Sequence, residues 1–235
     1  MSGKNQNKPM AHIAGSIIGW AFIFFIFYGI FYLAIYLQKR SLGIYDLEKP
    51  LNKSEHKYFS GLELSRNVGN NVSISVDVLE NKKMNRLKKF CKASLKDYSK
   101  QTYDFKTDVE FYITQSWINL SEPKDYHHKH KHPNSILSGV FFIDADEEKD
   151  RIQFWQSSSI SRGNSFSWDS NEYNSFNSDV WWMPSIIGRL YIFPSGLEHD
   201  VPIIEERIKN RTSLSFNSFT KGKMGSDVGK TGLIL

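Results

Sequence analysis

Tyr126-His127-His128-Lys129-His130-Lys131-His132-Pro133-Asn134-Ser135-Ile136-Leu137-Ser138-Gly139-Val140-Phe141-Phe142-Ile143 joins a histidine-rich run to an apolar one. The second half is a short apolar run rich in β-branched and aromatic residues, the texture of a buried strand. The first half gathers four of the chain's seven histidines. In a strand, residues two apart point to the same side, so His130 and His132 are spaced to present two imidazoles to one ion. Taken alone, the run also reads as a solvated basic loop that binds metals casually.

Outward from this stretch, further β-rich runs follow at Val109–Leu120, Arg151–Trp155, Leu190–Phe193 and Thr212–Phe216, separated by turn clusters. Many short strands with turn signals predict an all-β sandwich or jelly roll. Residues 157–177, rich in Ser, Asn and Gly, read as a long loop of the kind found over binding sites. Trp155, Trp168, Trp181 and Trp182 are candidates to line a pocket near it, with an ordinary core role as the alternative. Upstream, Val72, Ile74, Val76 and Val78 alternate with polar residues and predict a half-buried strand that opens the domain. Met84, Leu87, Cys91, Leu95 and Tyr98 recur at helical spacing, so residues 80–100 are expected to form an amphipathic helix with a basic outer face. Residues 41–70 are mixed and polar, with Pro50, Gly61 and Gly69, and read as a tether. Residues 221–235 show no core pattern and read as a flexible tail.

The N-terminus has a different character. From Ile13 to Leu37 there is no formal charge. About 20 apolar residues suffice for a helix to cross a bilayer. Trp20 sits near one end, Tyr32 and Tyr36 toward the other, and Lys39-Arg40 closes the run, as in interfacial belts. A single transmembrane helix is therefore expected, with residues 1–40 as anchor and the lipid bilayer as partner through residues 13–37. Lys4 and Lys8 precede the span, whereas Lys39, Arg40, Lys49 and Lys53 follow it. The positive-inside rule thus places the large C-terminal part in the cytoplasm, as in a single-pass membrane protein.

Bulk composition narrows the function. The chain is 23% charged and 14% aromatic, which is the balance of a folded protein. A net charge of +5 without a dense basic stripe gives no reason to expect a nucleic-acid partner. The single cysteine, Cys91, excludes an intramolecular disulfide and a cysteine-based zinc knuckle.

A third histidine, His199, closes the run Phe193-Pro194-Ser195-Gly196-Leu197-Glu198-His199 after a predicted strand. Neutral imidazoles suit Fe(II), Ni or Zn, so spacing leaves the metal open. Arg211 and Ser213 open the last apolar strand. An inward Arg there makes sense if its planar fork receives a carboxylate, with the Ser213 hydroxyl adding a hydrogen bond. The alternative is an exposed Arg in a surface ion pair.

Gln115-Ser116-Trp117-Ile118-Asn119, His130-x-His132-Pro133-Asn134-Ser135-x-x-Ser138-Gly139-Val140, Gly188, Phe193-Pro194-Ser195-x-Leu197-x-His199-x-Val201 and Arg211-x-Ser213-x-Ser215-Phe216-Asn217 stand in order along the chain. Together they resemble the 2-oxoglutarate–Fe(II) oxygenases of bacteria and phages, a double-stranded β-helix group. The resemblance runs from about Val109 to Asn217, within a domain read as residues 71–220, and implies a jelly-roll oxygenase using Fe(II) with 2-oxoglutarate as co-substrate. It implies His130 and His199 as iron ligands, and Arg211 with Ser213 on the distal carboxylate of 2-oxoglutarate. Asn119 and Ser135 or Ser138 become co-substrate or supporting contacts, with a strand role as the alternative.

The departure is His132, which stands where the wider superfamily's facial triad carries a carboxylate. His130, His132 and His199 are therefore the expected catalytic metal ligands, with Asp125, Glu198 or Asp200 as alternative acids. Two rival readings stay open. A cupin-like dioxygenase would share three histidines without needing Arg211, and an inactive tethered jelly roll would use its loops to bind a partner. The expected substrate is a small or membrane-associated molecule, of unknown identity.

Overall fold

Strand β6 (Leu137–Asp144) is buried along almost its whole length, because both of its faces meet other layers. The computed structural model describes residues 42–105, 109–155, 171–174, 178–226 and 228–235. In chain order the other strands are β1 (Gly43–Asp46), β2 (Leu64–Arg66), β3 (Asn71–Ser73), β4 (Glu110–Ser121), β5 (His127–His130) and β7 (Arg151–Trp155). After these come β8 (Val180–Pro184), β9 (Arg189–Pro194), β10 (His199–Val201), β11 (Arg211–Lys221), β12 (Lys223–Met224) and β13 (Leu233–Ile234). Among the described residues, helices α1 (Lys53–Ser60) and α2 (Asn85–Tyr103) precede β4.

The major sheet runs β1-β9-β6-β11-β4-β3-β2, and a four-stranded sheet runs β5-β10-β7-β8. Every pairing within them is antiparallel. Two facing antiparallel sheets with helices behind one of them make the expected jelly roll.

The period of two in each strand sorts side chains between two cores. Leu137, Phe141 and Ile143 of β6, Leu190 and Ile192 of β9, and Leu214 and Phe216 of β11 pack with Met84, Leu87, Cys91, Leu95 and Tyr98. Val140 and Phe142 of β6, with Tyr191 and Phe193 of β9, face the smaller sheet and meet Ile152, Phe154 and Met183. Each such side chain, fully buried, contributes about 1.5–3 kcal/mol. On β11 the alternate residues Arg211, Ser213 and Ser215 are thereby turned away from the helices and toward the smaller sheet. Gly139 is paired with Phe216 across β6 and β11. The Phe216 ring occupies the place of its missing side chain, since a Cβ there would lie 2.3 Å from that ring.

The amphipathic helix is present, and the five residues read as its apolar face are all buried. It starts at Asn85, after two single 3-10 turns at Val78–Glu80 and Lys82–Met84. The strand expected over Val72–Val78 is shorter than its alternation implies. It ends at Ser73, and Ile74 and Val76 are exposed. Local bonds compete with the ladder there: Ser73 Oγ donates to the Ser75 carbonyl, and Ser75 Oγ to the Asp77 carboxylate.

Residues 42–70, expected as a tether, are built into the compact unit Leu42–Leu235. β1 forms an edge of the major sheet against β9. α1 is started by a capping box in which Asn52 and Glu55 satisfy each other's backbone N–H groups. Glu55 also receives Arg86 of α2 at 2.6 Å. Polar composition hides these elements because their stabilising contacts are nonlocal. The expected flexible tail carries the exposed β12–β13 hairpin. Among the described residues no helix is long and apolar enough to cross a membrane. The span expected at residues 13–37 and most of the loop expected at 157–177, Trp168 included, lie outside the described residues.

Candidate metal and co-substrate site

β5 and β10 lie side by side with His130 directly opposite His199. His132 follows two residues past His130, and its backbone N–H donates to the Ser195 carbonyl (2.9 Å), which keeps this segment in line beyond the strand. The ligand atoms of His130, His132 and His199 then all lie within 4.8 Å of one another. His132 Nε2 and His199 Nε2 are 3.3 Å apart.

Tautomers follow from the backbone. His130 Nδ1 lies 2.7 Å from the His128 carbonyl, and His199 Nδ1 lies 2.9 Å from the Leu197 carbonyl. A carbonyl only accepts, so each Nδ1 carries the proton and each neutral ring presents an Nε2 lone pair to the cluster. Burial, then repulsion from His130, pushes His132 down to about 4 and His199 to about 3. Burial also lowers His130. All three are therefore neutral at pH 7, the protonation state that ligates metal.

A pocket opens beside these rings. Arg211, Ser213, Ser215 and Asn119 line it together with the three histidines. Arg211 is 2% exposed. Its Nε donates to Ser185 Oγ (3.3 Å), and its guanidinium sits 5.1 Å from the Phe142 ring centre. Among the described residues no carboxylate lies within ion-pair distance of it. Burial lowers it to about 10, so it remains a cation at neutral pH. Asn119 Nδ2 donates to Ser215 Oγ (2.9 Å), which fixes the amide across β4 and β11.

The alternative acids are engaged elsewhere or stand apart. Asp125 is held by both guanidinium nitrogens of Arg66 at 3.0 and 2.7 Å. Glu198 is about half exposed, 4.0 Å from Lys129. Asp200 lines the pocket but is not a member of the histidine cluster. One of its oxygens accepts the Trp155 indole N–H (2.8 Å), and the other is buried without a partner. Burial raises its affinity for protons. Three imidazole lone pairs at one place fit a divalent cation. The buried, unpaired Arg211 fits a carboxylate.

Ser135 and Ser138 take the strand role. Both hydroxyls bond Ser195 Oγ, at 2.7 and 2.8 Å, and Ser138 also donates to Asn217 Oδ1 (2.9 Å). This knot ties β6, β11 and the turn after β9 together beneath the histidines. Trp155, Trp181 and Trp182 do not line the pocket, whereas Trp117 does, 5.7 Å from the His132 ring.

Sequence patterning misses two groups. His127 lines the pocket, stacked on His130 at 4.3 Å and 19°. The clustering of histidines hints at it, but its position relative to Arg211 is not legible from spacing. Arg207 is completely buried, paired with Asp150 at 3.1 Å and donating to the Glu122 and Asp125 carbonyls. No sequence signal distinguishes it from a surface arginine.

Residues 115–217 match the family described as putative 2OG-Fe(II) oxygenase. No curated protein sequence matches the chain. Among solved structures, an oxidoreductase of the 2OG-Fe(II) oxygenase family from Burkholderia pseudomallei superimposes with a TM-score of 0.51 at 14% identity, covering 75% of this chain and 84% of that one. The non-heme alpha ketoglutarate dependent epimerase SnoN from nogalamycin biosynthesis gives 0.53 at 13% identity, over 78% and 81%. HygX from Streptomyces hygroscopicus, with nickel and 2-oxoglutarate bound, gives 0.52 at 8%, over 78% and 85%. At these identities the likeness is one of fold.

Proposed function

We propose that this chain, whose residues 115–217 match the family described as putative 2OG-Fe(II) oxygenase, is an iron(II)- and 2-oxoglutarate-dependent oxygenase whose metal is held by three histidines rather than two histidines and an acid. The observation that carries this reading is the pairing of two demands in one pocket. Three neutral imidazoles converge there, and Arg211 is buried there with no carboxylate of the described residues in ion-pair distance. A ligand-free protein bears both costs, and a metal with a dicarboxylate relieves both.

Nε2 of His130, His132 and His199 would hold the metal. Iron(II), when bound, supplies the redox chemistry by which dioxygen and 2-oxoglutarate yield succinate, carbon dioxide and one oxygen atom delivered to the substrate. The protein's part is placement. Arg211 pairs with the far carboxylate of 2-oxoglutarate, Ser213 offers a hydroxyl beside it, and the Asn119–Ser215 bond keeps that wall rigid. Val140, Ile152 and Phe193 give the pocket apolar wall, which strengthens every charged contact inside it.

A membrane anchor through residues 13–37, with the domain on the cytoplasmic side, belongs to the same proposal, as does a substrate that is a small or membrane-associated molecule. The uncharged run from Ile13 to Leu37 supports the anchor. Alkaline carbonate extraction of membranes containing the full chain tests it. Recovery in the wash would remove the anchor and leave the pocket chemistry intact.

The deciding experiment is anaerobic titration of the full chain with Fe(II) and then 2-oxoglutarate, following the visible charge-transfer band of a chelated keto acid. A band that is lost in Arg211→Ala is expected. Iron bound without a band would move the assignment to a three-histidine dioxygenase that does not use 2-oxoglutarate, and no iron binding would favour a binding domain.

A further inference from the structure

His127 is a pocket residue for which the metal chemistry gives no use. Its ring nitrogens stand outside the cluster of ligand atoms formed by His130, His132 and His199. It sits opposite Val201 of β10, where the pairing shifts register after His199, and this irregularity turns it into the pocket instead of away from it. Its ring lies nearly parallel to His130, 4.3 Å between centres, so the stack fixes its plane. Among the described residues the ring makes no hydrogen bond, and an imidazole always carries at least one N–H able to donate to an acceptor.

The pocket's own polar groups do not supply that acceptor. Asp200 has an unpartnered oxygen of its own, and Arg211 only donates. His127 is thus stacked on one of the three clustered histidines and lines the same pocket as the buried Arg211 guanidinium. A dicarboxylate filling this pocket from the histidine cluster to Arg211 would share its lining with this ring.

We propose that His127 is a second co-substrate-binding residue, whose ring N–H donates to the carboxylate of 2-oxoglutarate that Arg211 holds. This rests on the oxygenase reading above. The stack on His130 gives the donor a fixed direction without spending any of the three metal ligands.

The test is the dissociation constant of 2-oxoglutarate for the full, Fe(II)-loaded chain under anaerobic conditions, read from the charge-transfer band. Fe(II) affinity is measured separately by competition with a chelator. His127→Phe keeps an aromatic ring on His130 and removes the donor, whereas His127→Gln restores a donor. Weakening of 2-oxoglutarate by about tenfold or more in His127→Phe, with Fe(II) affinity unchanged and substantial recovery in His127→Gln, is the expected result. Unchanged 2-oxoglutarate affinity in both variants overturns the proposal. So does an equal loss of Fe(II) affinity, which would make His127 part of the metal site. Failure of the wild-type chain to give any band with iron bound overturns the oxygenase reading itself, and is distinguished by needing no variant.

Discussion

His132 Nε2 lies 3.3 Å from His199 Nε2, across 67 positions of sequence. With the His199 proton committed to the Leu197 carbonyl, this approach leaves a lone pair of His199 directed at His132. A shared metal turns that contact from a weak bond into two ligations. His132→Ala is expected to weaken Fe(II) binding by about a hundredfold, since one of three ligands is lost, whereas His132→Asp, which recreates a two-histidine, one-carboxylate set, should retain it. Chelator competition on the purified proteins measures both. Equal iron affinity in wild type and His132→Ala would remove His132 from the ligand set.

Arg211 sets function against stability. A fully buried guanidinium without a carboxylate partner is costly, and a hydrophobic residue of similar length removes the cost. Arg211→Met should raise the stability of the ligand-free chain by about 1–3 kcal/mol while abolishing 2-oxoglutarate binding. Thermal melts with and without 2-oxoglutarate, at saturating Fe(II), separate the two effects. A melting point that falls in the variant would mean that Arg211 is a structural cation.

Arg207 and Asp150 should behave in the opposite sense. Their ion pair is completely buried, and Arg207 further satisfies two carbonyls between β4 and β5. Removing one partner strands the other charge, so Asp150→Ala is expected to cost about 3–5 kcal/mol, measured by urea unfolding. Because Asp150 also raises the proton affinity of Arg211 through space, 2-oxoglutarate binding should weaken as well.

The histidines make the ligand-free fold acid-sensitive. His132 and His199 are held neutral, at about 4 and about 3, against about 6.5 in an unfolded chain. Their contribution is complete above pH 6.5 and is lost as the pH falls toward 4 and then 3, because the unfolded chain takes up protons that the fold refuses. Between pH 7.5 and 5.5 each should remove about 1 kcal/mol of stability. Urea titrations at the two pH values check this, and the His132→Phe, His199→Phe double variant should show a flatter dependence.

Alternation and spacing are legible in the bare chain because they are local. The strands at β4, β6, β7, β9 and β11, the apolar face of α2, the His130-x-His132 pair and the position of His199 after a strand all follow from the periods of two and 3.6. Polar segments are opaque for the complementary reason. Residues 42–70 hold their place through β1 on β9 and Arg86 on Glu55, contacts with partners far along the chain. Local pattern and motif order thus specify a jelly roll, a candidate ligand triplet and a carboxylate-seeking arginine. Folding is what buries Arg211 without an ion-pair partner, occupies Asp125 with Arg66, commits Ser135 and Ser138 to tying strands together, and brings His127 into the pocket. Those outcomes depend on sheet register and on a shift of pairing beside His199. A one-residue change of register turns a side chain to the opposite face, and no local pattern records it.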